Sequence, residues 1–269
     1  MDRHQYETFA QIDKHHWWFT ARRAVISSIL PKDQQGISVI DVGAGTGGMV
    51  PMLAKNFDLT VYEPDSQTLE FTKEKYQKNY PSVRFVGGDW SNVQRLRGNY
   101  DIVTAFDVLE HCEDDLQTLS EWRALLRQSG GNILLTVPAF PCLWGANDEL
   151  SHHYRRYTKA TLIEALQRAG LQVAKISYIN SINFLPVWIS RNVKERLERA
   201  LRRDKADAPW DFGLPPALLN SLLHQSFAWE QFLVPHLELP IGTSLIAVAH
   251  AASQTSAVVP ESQLVRGRR

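Results

Sequence analysis

Cysteine is scarce in this chain, and long hydrophobic runs are missing. Cys112 and Cys142 are the two cysteines among 269 residues. A disulfide framework is therefore not expected, and this usage fits a reducing compartment. Neither cysteine has the spacing of a metal ligand, so we predict no metal site. No apolar run approaches the roughly twenty residues that span a bilayer. Because the polar N-terminus also lacks a signal-peptide core, we predict a cytoplasmic protein.

An excess of charge of either sign is missing too. The 29 basic residues balance the 29 acidic ones. No overall electrostatic field therefore recruits a nucleic acid, and we predict no nucleic-acid partner. With 44% hydrophobic residues, the chain is long enough to bury one substantial core.

What the sequence does contain is a glycine-rich stretch directly after an apolar run. Residues 39–48 read Val-Ile-Asp-Val-Gly-Ala-Gly-Thr-Gly-Gly, and apolar residues resume at Met49. This pattern predicts a buried strand, a tight loop and a helix start, the arrangement that holds a nucleotide-like ligand in open α/β sheets. Gly43 and Gly45 let the backbone turn sharply and let a ligand approach closely. Because Gly43, Gly45 and Gly48 also fit the dinucleotide pattern, an NAD-dependent oxidoreductase is one alternative.

Asp41 favours a different ligand from NAD. It lies inside the predicted strand, two residues before the first glycine, where an NAD-binding strand usually carries an apolar residue. A carboxylate here can pair with a cationic group, such as the ammonium or the sulfonium of S-adenosylmethionine. The alternative is that Asp41 caps the loop by bonding to its own backbone.

Further acids follow the later apolar runs. Glu63 ends a run about twenty residues past the glycines, where a carboxylate accepts hydrogen bonds from ribose hydroxyls; a solvated strand end is the alternative. Asp89 can accept from an adenine amino group while Trp90 offers a face to the ring. Five apolar strands alternating with helical stretches predict a parallel sheet covered on both faces. Since such sheets bind ligands at the carboxyl ends of their strands, we expect these acids to share one site.

Taken in order, four motifs resemble those of the class I S-adenosylmethionine-dependent methyltransferases. They are Asp-Val-Gly-Ala-Gly-Thr-Gly at 41–47, Tyr-Glu-Pro-Asp at 62–65, Gly-Asp-Trp at 88–90 and Phe-Asp-Val-Leu-Glu-His at 106–111. The resemblance covers about residues 37–180, with a final strand at 243–249. It implies an α/β fold with a Rossmann-like, doubly wound sheet of seven strands, the last of them antiparallel. It also implies S-adenosylmethionine as the cofactor.

The same resemblance implies roles for individual residues. Asp41 and the loop from Gly43 to Gly47 would hold the methionine end of the cofactor, Glu63 the ribose, and Asp89 with Trp90 the adenine. The implied cofactor-binding set is Asp41, Gly43, Ala44, Gly45, Gly47, Glu63, Pro64, Asp89, Trp90, Phe106 and Asp107.

Two further segments resemble a bacterial subgroup of these enzymes, whose members often have no assigned substrate. One is His-Trp-Trp-Phe at 16–19, within a segment, 4–30, whose apolar spacing predicts a helix. The other is the polar and aromatic loop 138–157, which ends in His-His-Tyr-Arg-Arg-Tyr and lies beside the methyl-transfer point of a doubly wound sheet. The predicted substrate-binding residues are Trp17, Trp18, Arg22, Trp144, Asp148, Arg155, Arg156 and Tyr157.

Each of these assignments has a structural alternative. Both tryptophans can be core residues, and Arg22 with Arg23 can be solvated on a helix. Arg155 or Arg156 can instead pair with Asp148 structurally.

Three residues are candidates for a general base. His153 comes first because an imidazole accepts a proton near neutral pH, although it can also be a helix N-terminal residue that bonds only the backbone. His111, directly after the fourth strand, is its rival, and Asp107 is the third. A base is required for a hydroxyl acceptor, whereas a neutral amine or a carbanion needs only alignment.

Residues 181–238 exceed the usual connection between two strands, which predicts a helical insertion before the last strand. Two apolar stretches flank a basic run that includes Arg191, Arg199 and Arg203. This pattern fits a lid, a homo-oligomer contact or a peripheral contact with anionic lipid; i,i+4 ion pairing on a solvated helix is the alternative. We predict one domain over 1–251, with 4–30 as a helical cap, and a disordered tail over 252–269.

The sequence therefore predicts methyl transfer from S-adenosylmethionine, by in-line displacement, to an oxygen or nitrogen of a small-molecule, lipid-linked or glycan-linked acceptor. The first alternative is a non-catalytic protein of the same fold, against which the polar groups at 144–157 argue. The second is the NAD-dependent oxidoreductase, in which Asp41 and the Asp89–Trp90 pair have no role.

Overall fold

Seven strands of the computed structural model form one mixed sheet. The structure describes residues 3–31, 36–128, 130–189, 191–192 and 213–251. The strands are β1 (Ser38–Val42), β2 (Asp58–Glu63), β3 (Arg84–Gly87), β4 (Ile102–Phe106), β5 (Asn132–Pro138), β6 (Leu171–Ile179) and β7 (Ser244–Ala251). Their order is β3-β2-β1-β4-β5-β7-β6. The β3-β2-β1-β4-β5 pairs are parallel, and β7 runs antiparallel to β5 and β6. The predicted doubly wound sheet with an antiparallel last strand is confirmed.

Helices pack on both faces of this sheet. They are α1 (Arg3–His15), α2 (Trp17–Ile29), α3 (Val50–Asn56), α4 (Ser66–Tyr76), α5 (Trp90–Gln94), α6 (Asp115–Leu125), α7 (Ala146–Leu150), α8 (Lys159–Arg168), α9 (Phe184–Ile189) and α10 (Ala217–Ala228). Alternate residues of β1 enter two separate apolar clusters, since successive side chains of a strand point to opposite faces. Ile40 and Val42 pack with α6 and α8, and Val39 packs with α2, α3 and α10.

The N-terminal segment forms two helices where the apolar spacing predicted one. His16 is extended (φ −71°, ψ 134°), and its Nδ1 accepts a hydrogen bond from the Trp18 N–H at 3.2 Å, which caps α2. Asn220 of α10 holds the junction, because its amide accepts from the Trp17 N–H and donates to the His15 carbonyl, both at 2.9 Å. One partner of the junction lies about 200 positions away along the chain, so local periodicity alone does not indicate the break.

The insertion before β7 contributes α9, α10 and residues 191–192 to the described structure. Most of the predicted basic run, including Arg199 and Arg203, and the tail 252–269 lie outside the described residues. Within the described part of the chain, no helix combines the length and apolar character needed to cross a bilayer.

Candidate functional site

A cavity of about 720 Å³ opens at the carboxyl ends of β1, β4 and β5, where open α/β sheets bind ligands. Its volume lies within the roughly 300–1,000 Å³ of small-molecule sites. Of the predicted cofactor-binding residues, those that line it are Asp41, Gly43, Ala44, Gly45, Glu63, Pro64, Phe106 and Asp107. Of the predicted substrate-binding residues, those that line it are Trp17, Trp18, Arg22, Asp148 and Arg156.

Asp41 places a buried carboxylate at the end of β1. The residue is 2% exposed, and its Oδ1 accepts a hydrogen bond from the Thr104 hydroxyl at 2.6 Å. Burial raises the pKa of Asp41 to about 7, although the Thr104 bond and the charge of Arg22 oppose this shift. Among the described residues, Asp41 is therefore hydrogen-bonded to a hydroxyl of the neighbouring strand β4. The alternative, in which Asp41 caps its own loop, does not agree with this geometry.

The glycines of the loop serve two different purposes. All of Gly43, Gly45 and Gly47 have positive φ, between 57° and 75°, a region that L side chains rarely adopt. A Cβ at Gly43 would lie 2.8 Å from Val108, and one at Gly47 would lie 2.6 Å from Thr72. These two glycines therefore permit close packing. At Gly45 a Cβ would meet nothing within 4 Å, so this glycine faces open space at the cavity wall.

Glu63, at the end of β2, organises the glycine loop. Its Oε2 accepts from the Gly45 N–H at 2.8 Å, and its Oε1 accepts from the Asp65 N–H at 3.1 Å. Burial raises the pKa of Glu63. The predicted adenine residues are placed differently. Asp89 is exposed, and the Trp90 ring packs edge-on against Tyr62 at 5.4 Å. Neither residue lines the cavity, nor does Gly47.

Arg22 of α2 reaches over the end of β4. It is 8% exposed, its guanidinium lies 4.4 Å from the centroid of the Trp18 ring, and it contacts the Asp107 carboxylate. Burial lowers the pKa of Arg22 to about 10. The solvated alternative for Arg22 is therefore wrong. Arg23 is ion-paired with Asp13 at 3.0 Å, so it also differs from a free surface cation.

Asp107 faces Arg22 from a constrained turn at the carboxyl end of β4. Its φ of 57° is positive, and its Oδ1 accepts from the Thr136 hydroxyl at 3.0 Å. Residues other than glycine seldom adopt this φ, although aspartate does so more often than most, and here β5 supports the turn through Thr136. The carboxylate is thereby fixed at the cavity wall.

The loop after β5 is organised around Asp148, which has no exposed surface. Its Oδ1 accepts from Arg156 Nε and bonds His153 Nδ1, both at 2.8 Å. Its Oδ2 accepts from the Gly145 N–H at 2.8 Å and from Arg191 at 3.1 Å. Arg156 therefore pairs with Asp148, as the structural alternative for this arginine predicted. The sequence indicated Arg191 only as part of a basic run, and its contact with Asp148 was not predicted because it reaches this loop from the insertion.

Three predicted residues of this loop lie outside the cavity wall, namely Trp144, Arg155 and Tyr157. Tyr157 is buried, and its hydroxyl donates to Asp115 at 3.0 Å. Arg155 forms an ion pair with the same carboxylate at 3.1 Å. The described contacts of Arg155 and Tyr157 thus join the loop to α6.

His111 and His153 meet in the cavity wall, in the loops that follow β4 and β5. Their ring centroids lie 4.6 Å apart with the planes at 82°. Burial lowers the pKa of His111 to about 4, so this imidazole is neutral at physiological pH. The carboxylate of Asp148 positions the His153 ring. The alternative, in which His153 bonds only the backbone at a helix N-terminus, is therefore not what the structure contains.

Glu110 was missed by the sequence analysis although it precedes His111. It is 1% exposed, and burial raises its pKa to about 8. Its Oε2 has no hydrogen-bond partner in the described structure. Glu110 lies in the short helix Leu109–His111, and an acid between these two residues gives no local sequence signal of burial.

Comparisons with known proteins identify the family of this chain. A family model described as a methyltransferase domain matches residues 14–176. A protein of Mycolicibacterium smegmatis, described as a probable S-adenosylmethionine-dependent methyltransferase, is 26% identical over 205 residues, which are 76% of this chain and 78% of the relative. The ubiquinone biosynthesis O-methyltransferase of Rickettsia canadensis is 22% identical over 207 residues, which are 65% of this chain and 86% of the relative.

The fold has counterparts among solved structures. One is a chain described as a methyltransferase, from the Haloferax volcanii complex with the Trm112 methyltransferase activator. It is 17% identical, with a TM-score of 0.58 over 93% of this chain and 96% of that one. This likeness is one of fold.

Proposed function

Because this chain belongs to the methyltransferase-domain family and is an S-adenosylmethionine-dependent methyltransferase, we propose that it methylates an oxygen of a hydroxyl-bearing acceptor. One observation carries the proposal. One cavity is lined both by the buried Asp41 carboxylate with Gly43 and Gly45 and by three groups that can accept a proton, Asp107, His111 and His153. The NAD-dependent and non-catalytic alternatives are not retained, since the family activity is methyl transfer.

The β1 end of the cavity fits S-adenosylmethionine. Burial disfavours the ionised form of Asp41, and the hydrogen-bond partner of this carboxylate is a neutral hydroxyl. A cationic ligand group would therefore stabilise the ionised carboxylate. Gly45 leaves the cavity wall open where a side chain would project. Asp41, Gly43 and Gly45 would hold the methionine end, and Glu63 the ribose. When bound, this cofactor supplies a methyl group on a positively charged sulfur.

The other end of the cavity fits an acceptor hydroxyl. A hydroxyl oxygen loses its proton when it takes a methyl group, so the site needs a group that accepts the proton. Asp107, His111 and His153 are the three candidates, and all line the cavity. Trp17, Trp18 and Arg22 would cover the acceptor from the N-terminal helices, while Asp148 and Arg156 would hold the loop beside it. The oxygen assignment is also supported by the O-methyltransferase among the relatives.

Binding of S-adenosylhomocysteine tests the cofactor site with a matched pair of glycine variants. We expect micromolar binding by calorimetry and no binding of NADH. Gly45→Ala places a methyl group in the open space at the cavity wall, so we expect at least a tenfold loss of affinity. Gly98→Ala is the control, because Gly98 also has a positive φ and open space around its Cβ position but lies in the loop before β4. Equal affinities for both variants and the unmodified protein would contradict the site.

We propose further that the acceptor carries a lipid. Eight exposed apolar side chains lie on α9, on α10 and on the short helix 229–232 that follows α10. We call them together the α9–α10 surface: Leu185, Trp188, Ile189, Leu218, Leu219, Leu222, Trp229 and Phe232. Val187 of α9 lines the cavity, so one short helix borders both the cavity and this surface. Large exposed apolar surfaces commonly mark an interaction site. A lipid tail on the acceptor could therefore extend from the cavity along α9.

Vesicle sedimentation tests this acceptor class. At low salt we expect the protein to sediment with phosphatidylcholine vesicles that contain phosphatidylglycerol, because exposed aromatic residues partition into the lipid interface. The double variant Trp229→Ser, Phe232→Ser should remain in the supernatant. Tyr154→Ser is the control, since Tyr154 is 55% exposed but lies outside the α9–α10 surface. Absence of sedimentation with both neutral and anionic vesicles would instead favour a water-soluble acceptor.

Other features of the chain extend the proposal. The segments at 16–19 and 153–157 would place the chain in the bacterial subgroup. Residues 1–251 would form a single domain, in which 4–30 is a cap over the site and 181–238 is a lid. The cap and the lid are in contact at the junction of α1 and α2, so movement of one would affect the other.

A further inference from the structure

We propose that Glu110, His111 and His153 form a site for a divalent cation of the Zn²⁺ or Co²⁺ type at the acceptor end of the cavity. Each of the three offers one ligand atom, and these atoms lie within 4.8 Å of one another. All three residues line the cavity. Two imidazoles and one carboxylate are a donor set that such cations prefer. The role of the site rests on the proposed function, but the three ligands stand on geometry alone.

Each histidine is already oriented as a metal-binding histidine would be. His153 Nδ1 is bonded to the Asp148 carboxylate at 2.8 Å, which leaves its Nε2 as the ligand atom. The backbone of Ser151 opposes the effect of burial on the pKa of His111, so a backbone acceptor is available to one of its nitrogens while the other can bind a metal. Histidines that bind metals usually donate their second nitrogen to a carboxylate or a backbone carbonyl, because this fixes the ring and its tautomer.

Glu110 supplies an independent observation. Its side chain is 1% exposed, and its Oε2 lacks a hydrogen-bond partner among the described residues. An unpaired buried carboxylate oxygen is unfavourable, and protonation would only replace an unpaired acceptor with an unpaired donor. A cation held with the two imidazoles would satisfy this oxygen.

The nearby positive charges do not oppose a cation strongly. Arg22 and Arg156 are the guanidinium groups that influence Glu110. Arg22 contacts the Asp107 carboxylate, and Arg156 bonds Asp148 at 2.8 Å, a carboxylate that it shares with Arg191. The net charge presented to the site is therefore smaller than the two arginines alone would give.

Three protein ligands leave at least one coordination position open, as in catalytic rather than structural metal sites. This position would face the cavity, where an oxygen atom of the acceptor could bind. The acceptor would therefore carry a hydroxyl or a similar hard oxygen near its methylation point. With both imidazoles engaged, Asp107 would be the remaining candidate for the base.

Metal titration of the chelator-treated, full-length protein tests the site without any acceptor. We expect one equivalent of Zn²⁺ to bind by calorimetry and one equivalent of Co²⁺ to give visible absorption bands. Glu110→Gln and His111→Ala should each lower the affinity for both metals at least tenfold. His152→Ala is the control, because His152 is adjacent to His153 but exposed. Binding of S-adenosylhomocysteine by each variant verifies that its fold and cofactor site are intact.

The outcomes separate this proposal from the proposed function. Failure of Zn²⁺ and Co²⁺ to bind the unmodified protein, or equal affinities in Glu110→Gln and His152→Ala, would overturn the metal site and leave a hydrogen-bonded histidine pair. Metal binding without binding of S-adenosylhomocysteine would instead contradict the cofactor site and leave the metal site standing.

Discussion

Replacement of Asp41 by asparagine should make the protein more stable above neutral pH while lowering its affinity for S-adenosylhomocysteine about 100-fold. Asp41 is 2% exposed, and burial raises its pKa from 3.8 to about 7. Each pKa unit corresponds to about 1.4 kcal/mol, so the ionised carboxylate destabilises the fold by at most about 4 kcal/mol. Asparagine keeps an oxygen that can accept from Thr104, and we expect a gain of about 1–3 kcal/mol because it remains a buried polar group.

The affinity falls for a complementary reason. The carboxylate is the group that would pair with the ammonium of the ligand, and removal of one partner of a buried charged pair typically costs about 2–5 kcal/mol of binding. The same carboxylate would therefore lower the stability of the free protein and increase its affinity for a cationic ligand.

The effect on stability has a defined pH dependence. In the unfolded chain Asp41 loses its proton near pH 3.8, whereas in the folded chain it keeps it to about pH 7. The folded state thus binds more protons between these values, and the contribution of Asp41 to stability falls as pH rises through this range. Thr104, Arg22 and Glu63 are the groups that modify this pKa. The stability difference between Asp41→Asn and the unmodified protein should therefore be larger at pH 8 than at pH 5.

Urea unfolding at pH 5 and pH 8, with calorimetric titration of S-adenosylhomocysteine at pH 8, measures both effects. Asp58→Asn is the matched control, because Asp58 is exposed and begins β2, at the other end of this strand from the cavity-lining Glu63. Unchanged ligand affinity in a folded Asp41→Asn protein would remove Asp41 from the cofactor site. A loss of stability at pH 8 would show that the ionised carboxylate has stabilising contacts that outweigh its burial.

Asp148→Asn should lower the free energy of unfolding by about 3–5 kcal/mol, the usual result of removing one partner from a buried charge network. The carboxylate bonds His153, Arg156, Arg191 and the Gly145 N–H, with four contacts between 2.8 and 3.1 Å. Asparagine has nearly the same size but no charge, so the buried guanidinium of Arg156 loses its counterion. The change therefore tests electrostatics rather than packing.

A double-mutant cycle with Arg156 identifies the cause. If the loss arises from the unpaired guanidinium, Asp148→Asn combined with Arg156→Met should be less destabilising than the sum of the single changes, by roughly 0.5–3 kcal/mol. Glu149→Gln is the control, because Glu149 is the exposed neighbour on α7. Additive effects in the cycle would show that the pair is not coupled, and a loss below about 1 kcal/mol for Asp148→Asn would contradict its central role in the loop.

Much of the fold was predictable because it follows from local patterns. The apolar run that ends at Glu63 corresponds to β2, since buried strands of parallel sheets are largely apolar. Asp41, Glu63 and Asp107 were expected to meet because parallel strands end at one edge of the sheet, and all three line the cavity. Their chemical roles in binding remain predictions.

The acceptor end of the cavity was less predictable because it is assembled from distant segments. Glu110 and His111 follow β4, His153 follows β5, and Arg191 comes from the insertion, 43 residues beyond the Asp148 that it bonds. Burial of Arg22 and Glu110 likewise depends on helices that fold over the sheet edge. Charged residues are mostly solvated in folded proteins, so the sequence alone favoured the wrong environment for Arg22.

The sequence by itself determined the strands, the glycine loop and the acids at the strand ends, because apolar runs and glycine conformations act over a few residues. Only the tertiary structure decided which polar groups are buried together. Asn220 bonds the backbone at the break between α1 and α2, and Asp148 joins three cationic or imidazole side chains. Glu110 lies beside two histidines, and its Oε2 has no hydrogen-bond partner among the described residues. These arrangements depend on contacts between segments that are distant along the chain, and burial changes the energy of a charge more than any neighbour in the sequence does.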